Sequence, residues 1–538
     1  RNNSAYIAAL AYDAHINDIR PDDVLKPNSL GKQTVSTYWV DVLENQALEP
    51  VASNQYYLAT KYGGFAVPSG YDSNSVDALP ASTWESGRTL TVKGVTLSLP
   101  SNYFPAGDAA AMVNSLRGAF ERVVGEIEGS GGSLAANSTK LETGTAVYQA
   151  KFTAGFWDGD ISAYDVNPVT GAISDTAKWS AAGKLPAWAS RKILVNADGA
   201  STPKTFVYGN LSASQQSALG SSVEVVDYLR GDRSNEGQNG KKLRTRRGLL
   251  GDIVNSQPVY AGAPNPNLYR NSTGKFNGAD TYQAFAIAQK NRTGVIYVGA
   301  NDGMLHAFDA ATGVEKFAFI PNAVIQANLK QYTQKGYVHR YYLDGELTIA
   351  DVYNGSAWKT ILVGSMGRGG RALFALDVTD PEAPKFLWEK TSADIPALGN
   401  NLGKPIIAQI GNGDWRVLVG NGPNGNTDTA QLIMIGALSG TSTVISTGVS
   451  GNNGLTAVQA WDDNRDGVMN LIYAGDMQGN MWRFGAPATT TSQYPLSGSS
   501  VSLLKLFSAG ASKPITAAPL VGADPITGKT WVFFGTGQ

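Results

Sequence analysis

Short apolar runs rich in β-branched and aromatic residues recur through the second half of the chain, each ending in glycine. Val295-Ile-Tyr-Val-Gly299, Ile361-Leu-Val-Gly364, Val417-Leu-Val-Gly420, Leu471-Ile-Tyr-Ala-Gly475 and Val532-Phe-Phe-Gly535 are variants of one element, spaced by 55 to 65 residues. Such runs bounded by turn residues predict strands. Several are followed by a turn and a second strand. Asn301-Asp302-Gly303 predicts a hairpin, and Asp309-Ala-Ala-Thr-Gly313 predicts the next turn. Phe374-Ala-Leu-Asp377 and Trp482-Arg-Phe484 stand at similar offsets after their own elements. Pro258, Pro405 and Pro514 stand where strands begin, a position at which a missing N–H costs little. A period of tens of residues with several short strands predicts a β-propeller. It is too long for the coil of a parallel β-helix, and a β-sandwich lacks a recurring strand–Gly–turn–strand unit.

The first 235 residues have a different texture. Residues 4–17 carry an apolar pattern compatible with a helix, and residues 35–43 alternate as a strand. Residues 108–128 read as an amphipathic helix, with Met112, Leu116, Phe120, Val123 and Ile127 three or four apart and Asp108 as its N-cap. Residues 145–164 and 192–208 look like strands. This is α/β or α+β material. Gly129–Ser133 marks a Gly/Ser break, and Ser234–Arg247 reads as an exposed linker. The expected division is residues 1–135, then a β-rich connector and linker over 136–248, then a propeller over 249–538.

Composition narrows the function classes. A chain of 538 residues exceeds the usual domain size, so more than one domain or one large repeat domain is expected. Charged residues make up only 16% and the net charge is −1, which argues against a general grip on nucleic acid. The run Lys241-Lys-Leu-Arg-Thr-Arg-Arg247 is isolated in this neutral chain and is read as a solvated stretch. Cysteine is absent, which removes disulfides, thiolate metal sites and cysteine catalysis. The three histidines, His15, His306 and His339, are scattered, so a histidine-rich zinc site is not expected. No run of about 18 apolar residues and no signal peptide is present. Arg1 is not an initiator methionine and the chain stops within a strand-like run, so a piece of a longer protein is expected.

The sharpest chemical signal is Asp462-Asp-Asn-Arg-Asp-Gly-Val-Met-Asn470. Asp462, Asn464 and Asp466 alternate, Gly467 permits a sharp turn, the Val468 carbonyl follows at position seven, and Asn470 stands at position nine. Hard oxygens in this order, with glycine at six, are what a Ca2+ loop needs. Position twelve is Tyr473, not the bidentate Glu of an EF-hand, and strand-like residues flank the loop. The bland alternative is an acidic β-turn. Aligning Val458–Trp461 with Ile407–Ile410 one repeat earlier places the loop between the first and second strands of a blade, at a rim. Two formal charges among five ligands predict a moderate, exchangeable site.

Several stretches together resemble the PilY-type (PilC-like) tip adhesins and assembly factors of bacterial type IV pili. They are Gln55–Phe65, Phe156–Tyr164, Tyr228–Arg233, Leu250–Pro258, Asn301–Asp309, Asp462–Asp476 and Gly479–Phe484. The resemblance implies a mainly β fold: a modified propeller of seven blades when whole, five of them begun here. It also implies a preceding von Willebrand factor A-like region, of which residues up to Phe65 resemble the end. No Asp-x-Ser-x-Ser adhesion motif is found, so such a site is expected upstream of Arg1. The family's calcium loop maps onto Asp462, Asn464, Asp466, Val468 and Asn470, with Asn470 where the family often has Asp. The implied role is non-enzymatic: calcium-dependent control of pilus extension against retraction, hence twitching motility, and attachment to surfaces or host cells. Type IV pilins or minor pilins are the implied partners, and a host-cell receptor is a further implied partner. The implied location is the pilus tip, cell surface, outer membrane or periplasm of a Gram-negative bacterium, with membrane association only through the pilus machinery. Arg230-Gly231-Asp232 forms a possible adhesion triplet, although it lies inside the family-like Tyr228–Arg233 stretch. The alternative is a quinoprotein dehydrogenase, whose repeats resemble Gly299–Gly313. Such enzymes hold a quinone and calcium in the central channel, and many carry adjacent cysteines that this chain lacks.

Overall fold

The computed structural model describes residues 5–20, 33–41, 54–68, 71–72, 78–92, 95–105, 128–137, 144–153, 156–197, 199–237, 240–272, 274–400, 403–486, 494–497 and 501–537. The chain forms two compact units, one of Arg1–Glu128 with Ala154–Phe156, the other of Gly129–Thr153 with Trp157–Gln538. The boundary falls at the start of the Gly/Ser break.

In the first unit the expected amino-terminal helix is present as Tyr6–Ile16. A second helix, Gln55–Tyr62, starts where the Asn54 side chain accepts the N–H groups of Tyr56 and Tyr57 at 3.1 and 2.9 Å. The strand expected over 35–43 is observed as Trp39–Asp41, pairing parallel with Tyr103–Pro105. A hairpin joins Glu85–Val92 to Val95–Pro100, and Tyr57, Leu99 and Tyr103 form the core. The helix read over 108–128 lies outside the described residues up to 127; Glu128 already begins a strand, Glu128–Ala136.

The second unit is built from antiparallel sheets of consecutive strands. The first blade contains Val259–Ala261, Val295–Gly299, Leu305–Asp309 and Glu315–Ile320, and Ile193–Val195 adds in parallel at its outer edge. The second contains Leu347–Tyr353, Trp358–Ser365, Ala372–Asp377 and Lys385–Thr391. The third contains Ile406–Gly411, Asp414–Gly420, Thr429–Gly436 and Ser442–Ser450. The fourth contains Leu455–Trp461, Leu471–Asp476, Asn480–Phe484 and Leu503–Ser508. A hairpin of Leu520–Ala523 and Thr530–Phe533 begins a fifth. The first strand of each blade lies against the first strand of the next, which is the radial stacking of a propeller. The repeated glycine-ended element is the second strand of each blade, as its spacing predicts.

In the first four blades these second strands are buried on both faces because blades stack on both sides. In the first blade, Val295 and Tyr297 join a core with Leu347, Leu362 and Phe374 of the second blade. Ile296 and Val298 point the other way, onto Tyr148, Ala150, Ile161 and Ala163. Those residues belong to a further four-stranded sheet made by Glu128–Ala136, Ala146–Thr153, Asp158–Asp165 and Trp179–Ser180. Residues of the stretch read as a connector therefore pack face to face on the first blade.

The basic run is not a free linker. Leu243 and Arg246 are buried. Arg244 lies over the rings of Tyr332 and Tyr337 at 4.5 and 4.4 Å. Arg246 pairs with Glu236 at 2.7 Å and donates to the Tyr228 carbonyl at 2.8 Å. Arg247 clamps Asp158 through Nε and Nη2 at 2.6 and 2.7 Å. Sequence reading sees exposed charge in such a run; aromatic faces and carboxylates supplied from distant parts of the chain give these guanidinium groups fixed places.

Candidate metal loop on the fourth blade

The connection from Leu455–Trp461 to Leu471–Asp476 is the Asp462–Asn470 loop, between the first and second strands of the fourth blade as the repeat alignment predicts. In the third blade the same connection is a tight turn at Asn412-Gly413. The Asn470 N–H donates to the Trp461 carbonyl at 3.0 Å and closes the neck. Two backbone conformations shape the tip: Arg465 has φ +59° and Gly467 φ +93°. The left-handed region is costly for an ordinary residue and easy for glycine.

The turn gathers oxygen atoms. Asp462 accepts the N–H of Asp466 at 3.2 Å and that of Gly467 at 2.8 Å. Asn464 Oδ1 also accepts the Asp466 N–H, at 3.2 Å. Asp466 accepts the N–H of Val468 at 2.8 Å and the amide of Asn464 at 3.0 Å. Asp462, Asn464 and Asp466 are thus brought together around residues 464–468. Val468 is wholly buried, its side chain in the core cluster that contains Trp358 and Trp415. Asn470 sits at the neck instead of the tip. Its Oδ1 accepts the Asp463 N–H at 3.2 Å, and its Nδ2 is buried without a partner. An amide oxygen has a second lone pair, so Asn470 can hold the neck and still face an ion.

The charge balance suits a cation. Among the described residues, neither Asp462 nor Asp466 makes an ion pair. Burial raises the proton affinity of the Asp462 carboxyl, the Gly467 N–H lowers it, and the Asp466 charge raises it again. Among the described residues, no group of three or more His, Cys, Asp or Glu gathers at a metal-binding distance. The side chains gathered here are two carboxylates and a neutral amide oxygen. That is hard-cation chemistry of the calcium kind, not that of zinc or copper.

Sequence reading misses the residues behind the loop. The Met469 N–H donates to the Gln409 carbonyl of the third blade at 2.8 Å. Lys275 Nζ donates to the Arg465 carbonyl at 2.9 Å. Lys275 lies in the long connection 262–294 of the first blade, whose length alone, against the short turns of later blades, signals a special role.

The Arg-Gly-Asp triplet is placed differently. Val223–Arg230 is a helix, and Gly231, at φ +118°, is its left-handed cap, donating to the carbonyls of Asp227 and Tyr228 at 3.1 and 2.9 Å. Arg230 is 8% exposed, lies over Trp188, and donates to the Ala189 carbonyl at 3.3 Å. Both oxygens of Asp232 are engaged by Ser234. The triplet is a helix stop whose arginine points inward. A receptor reading both of its charged ends requires Arg230 to leave that seat.

Fold and site together define a β-propeller protein with an acidic oxygen-rich loop on one blade. The comparisons give the family. A family model of the PilY1 beta-propeller domain matches residues 250–538. The chain is 48% identical over all of its length to a type IV pilus biogenesis factor PilY1 homolog of Xylella fastidiosa, covering 42% of that protein. It is 36% identical over 89% of its length to the type IV pilus biogenesis factor PilY1 of Pseudomonas aeruginosa strain PAK, covering 45% of it. A crystal structure of the C-terminal domain of Pseudomonas aeruginosa PilY1 aligns at 39% identity over 52% of this chain and 59% of that one, with a TM-score of 0.44. This chain belongs to the PilY1 family. It spans less than half the length of these curated relatives. Among the described residues no helix is long and apolar enough to cross a membrane.

Proposed function

We propose that this chain is the calcium-binding part of a type IV pilus tip adhesin and biogenesis factor. Ion occupancy of the Asp462–Asn470 loop biases pilus extension against retraction and supports attachment to surfaces or host cells. The observation that carries the reading is the convergence of Asp462, Asn464 and Asp466 on one turn, held between two strands of a blade. Asp462 and Asp466 supply the negative charge, Asn464 and the Val468 carbonyl neutral oxygens, and Asn470 fixes the neck. A bound calcium ion screens the two carboxylates from each other and rigidifies the tip. The partners in this reading are type IV pilins or minor pilins, and the location is the outside of a Gram-negative cell. The role is non-enzymatic. A quinone enzyme holds its calcium in the central channel, whereas this loop joins two strands at the end of a blade.

Calorimetric titration tests the ion. The chain takes up one equivalent of calcium, magnesium competes poorly because it demands tight octahedral geometry, and Asp466→Ala gives no heat. Absence of heat in the unaltered chain removes the ion from the account. In the bacterium, Asp462→Ala placed in the full-length protein abolishes the calcium dependence of pilus retraction. Retraction that responds to calcium as before removes the regulatory reading and leaves the site.

A further inference from the structure

The connection 262–294 of the first blade does not stay over its own blade. Tyr269 stacks on Trp358 of the second blade with ring centroids 5.4 Å apart, and Tyr282 meets the same ring edge-on at 4.8 Å. Phe276 lies edge-on to Trp415 of the third blade at 6.4 Å. The Asn277 N–H donates to Asn412 Oδ1, in the third blade's turn, at 2.7 Å. The strap then reaches the acidic loop of the fourth blade. Lys275 Nζ binds the Arg465 carbonyl at 2.9 Å. Gly467 lies so close to Phe276 that a Cβ on it would come within 2.8 Å of the ring and 3.2 Å of the Ser272 hydroxyl. Phe276 and Val468 share one buried cluster.

Resting on the calcium reading above, we infer that residues 274–278 position the ion loop and couple it to the first blade. Phe276 forms a flat floor under Gly467 and Val468, positions six and seven of the loop. Lys275 pins the Arg465 carbonyl, position four, away from the gathered oxygens. The tip conformation that turns three side chains inward is therefore imposed partly from the first blade, across two intervening blades. The linkage is reciprocal: an ion that fixes the loop also fixes the strap. Phe276 and Lys275 touch no proposed ligand oxygen. They act as outer supports, which in metal sites govern affinity through the orientation of the ligands.

Two measurements test the coupling. In calorimetry, Phe276→Ala weakens calcium binding about tenfold or more, and Phe276→Leu, which keeps an apolar floor, restores most of it. In hydrogen exchange on the unaltered chain, calcium slows the amides of 463–468 and also those of Lys275, Asn277 and Ala279, whose N–H groups are bonded to Ser272, Asn412 and Phe276. Asp466→Ala removes protection in both places. Protection confined to 462–470, or unchanged calcium affinity in Phe276→Ala, overturns the coupling while leaving the ion site. No heat in the unaltered chain overturns both. The exchange experiment needs no substitution, so it decides the matter even if Phe276→Ala does not fold.

Discussion

Replacing Glu315 with alanine lowers the unfolding free energy by about 3–5 kcal/mol, the cost of stranding a buried charge. Glu315 holds two cations inside the first blade. Arg191 grips it through Nε and Nη2, both at 2.7 Å, and His306 Nδ1 approaches it at 2.8 Å. The other face of His306 meets Asp302 at 3.1 Å, and Asp302 accepts the Gly251 N–H at 2.9 Å. All four side chains are buried, so water cannot replace a lost partner. Arg191 precedes the strand Ile193–Val195, so the cluster also bolts that strand to the blade edge. Glu315→Ala leaves a net positive charge in the core. Arg191→Met with Glu315→Met leaves the His306–Asp302 pair balanced, and its loss is smaller than that of Glu315→Ala alone. Urea unfolding of the three chains measures both differences; equal losses would show that charge balance is not what the cluster supplies.

The same cluster sets a pH dependence. Burial opposes charge on His306, but Asp302 and Glu315 outweigh it and hold the imidazole up to about 9, above its ordinary 6.5. Its contribution is full below 6.5 and is lost as pH rises through 9. Burial would raise Glu315, but Arg191 and His306 hold it down to about 2, below its ordinary 4.5. Its contribution is full above 4.5 and is lost as pH falls toward 2. The cluster therefore stabilises most between about pH 4.5 and 6.5. The melting temperature of the unaltered chain falls between pH 6.5 and 9 by more than that of His306→Gln. Parallel curves would remove His306 from the explanation.

What the sequence discloses of this fold follows from what is local. The second strands of the first four blades are legible because both of their faces are buried, leaving a run such as Val295–Gly299 with no polar residue. The turns at Asn301–Gly303 and Asp309–Gly313 are legible because left-handed positions at Gly303 and Gly313 demand glycine. The acidic loop is legible because its donors lie within nine residues of chain. Strand character at Ile193–Val195 is legible within residues 192–208, but its parallel pairing with Ala318–Ile320 is not, since that partner lies more than a hundred residues away.

The supports are hidden for a related reason. Nothing in Lys275-Phe276 announces that it meets Arg465 and Gly467, because that contact exists only after four blades have stacked. Arg230-Gly231-Asp232 shows the reverse error. Its composition suggests a surface signal, but the glycine ends a helix and the arginine fills a seat beside Trp188. A three-letter pattern carries no information about burial. The basic run 241–247 misleads likewise, since the aromatic faces and acids that fix Arg244, Arg246 and Arg247 come from elsewhere in the chain.

A polar residue also follows four of the five repeated glycines, Ala300 being the exception, and its work appears only in three dimensions. Asn421 accepts the N–H groups of Gln431 and Leu455 and donates to the carbonyls of Ala397 and Thr429, so it laces the third blade to the segments on either side. Asp476 holds the equivalent place in the fourth blade. It is fully buried and accepts from the N–H of Gln478 at 3.0 Å, the N–H of Asn480 at 2.9 Å, the Asn453 amide at 3.2 Å and the Trp482 indole at 2.8 Å. No cation stands among these partners. The carboxylate is held by neutral donors alone, each of which is left in a dry site when it is removed. Asp476→Ala therefore costs about 3 kcal/mol or more, since each stranded buried donor costs about 1–3 kcal/mol. Asp476→Asn recovers only part of this, because an amide turns one N–H pair toward groups that are themselves donors. Denaturant unfolding measures the loss. The site also permits a control. Asp476 closes the strand that begins at Leu471, so it lies at the opposite end from the Asp462–Asn470 loop. Asp476→Asn, under conditions where it remains folded, binds calcium with unaltered affinity. A fall in affinity matching that of Phe276→Ala would mean that the blade transmits strain along its length, and that the strap is one of several supports.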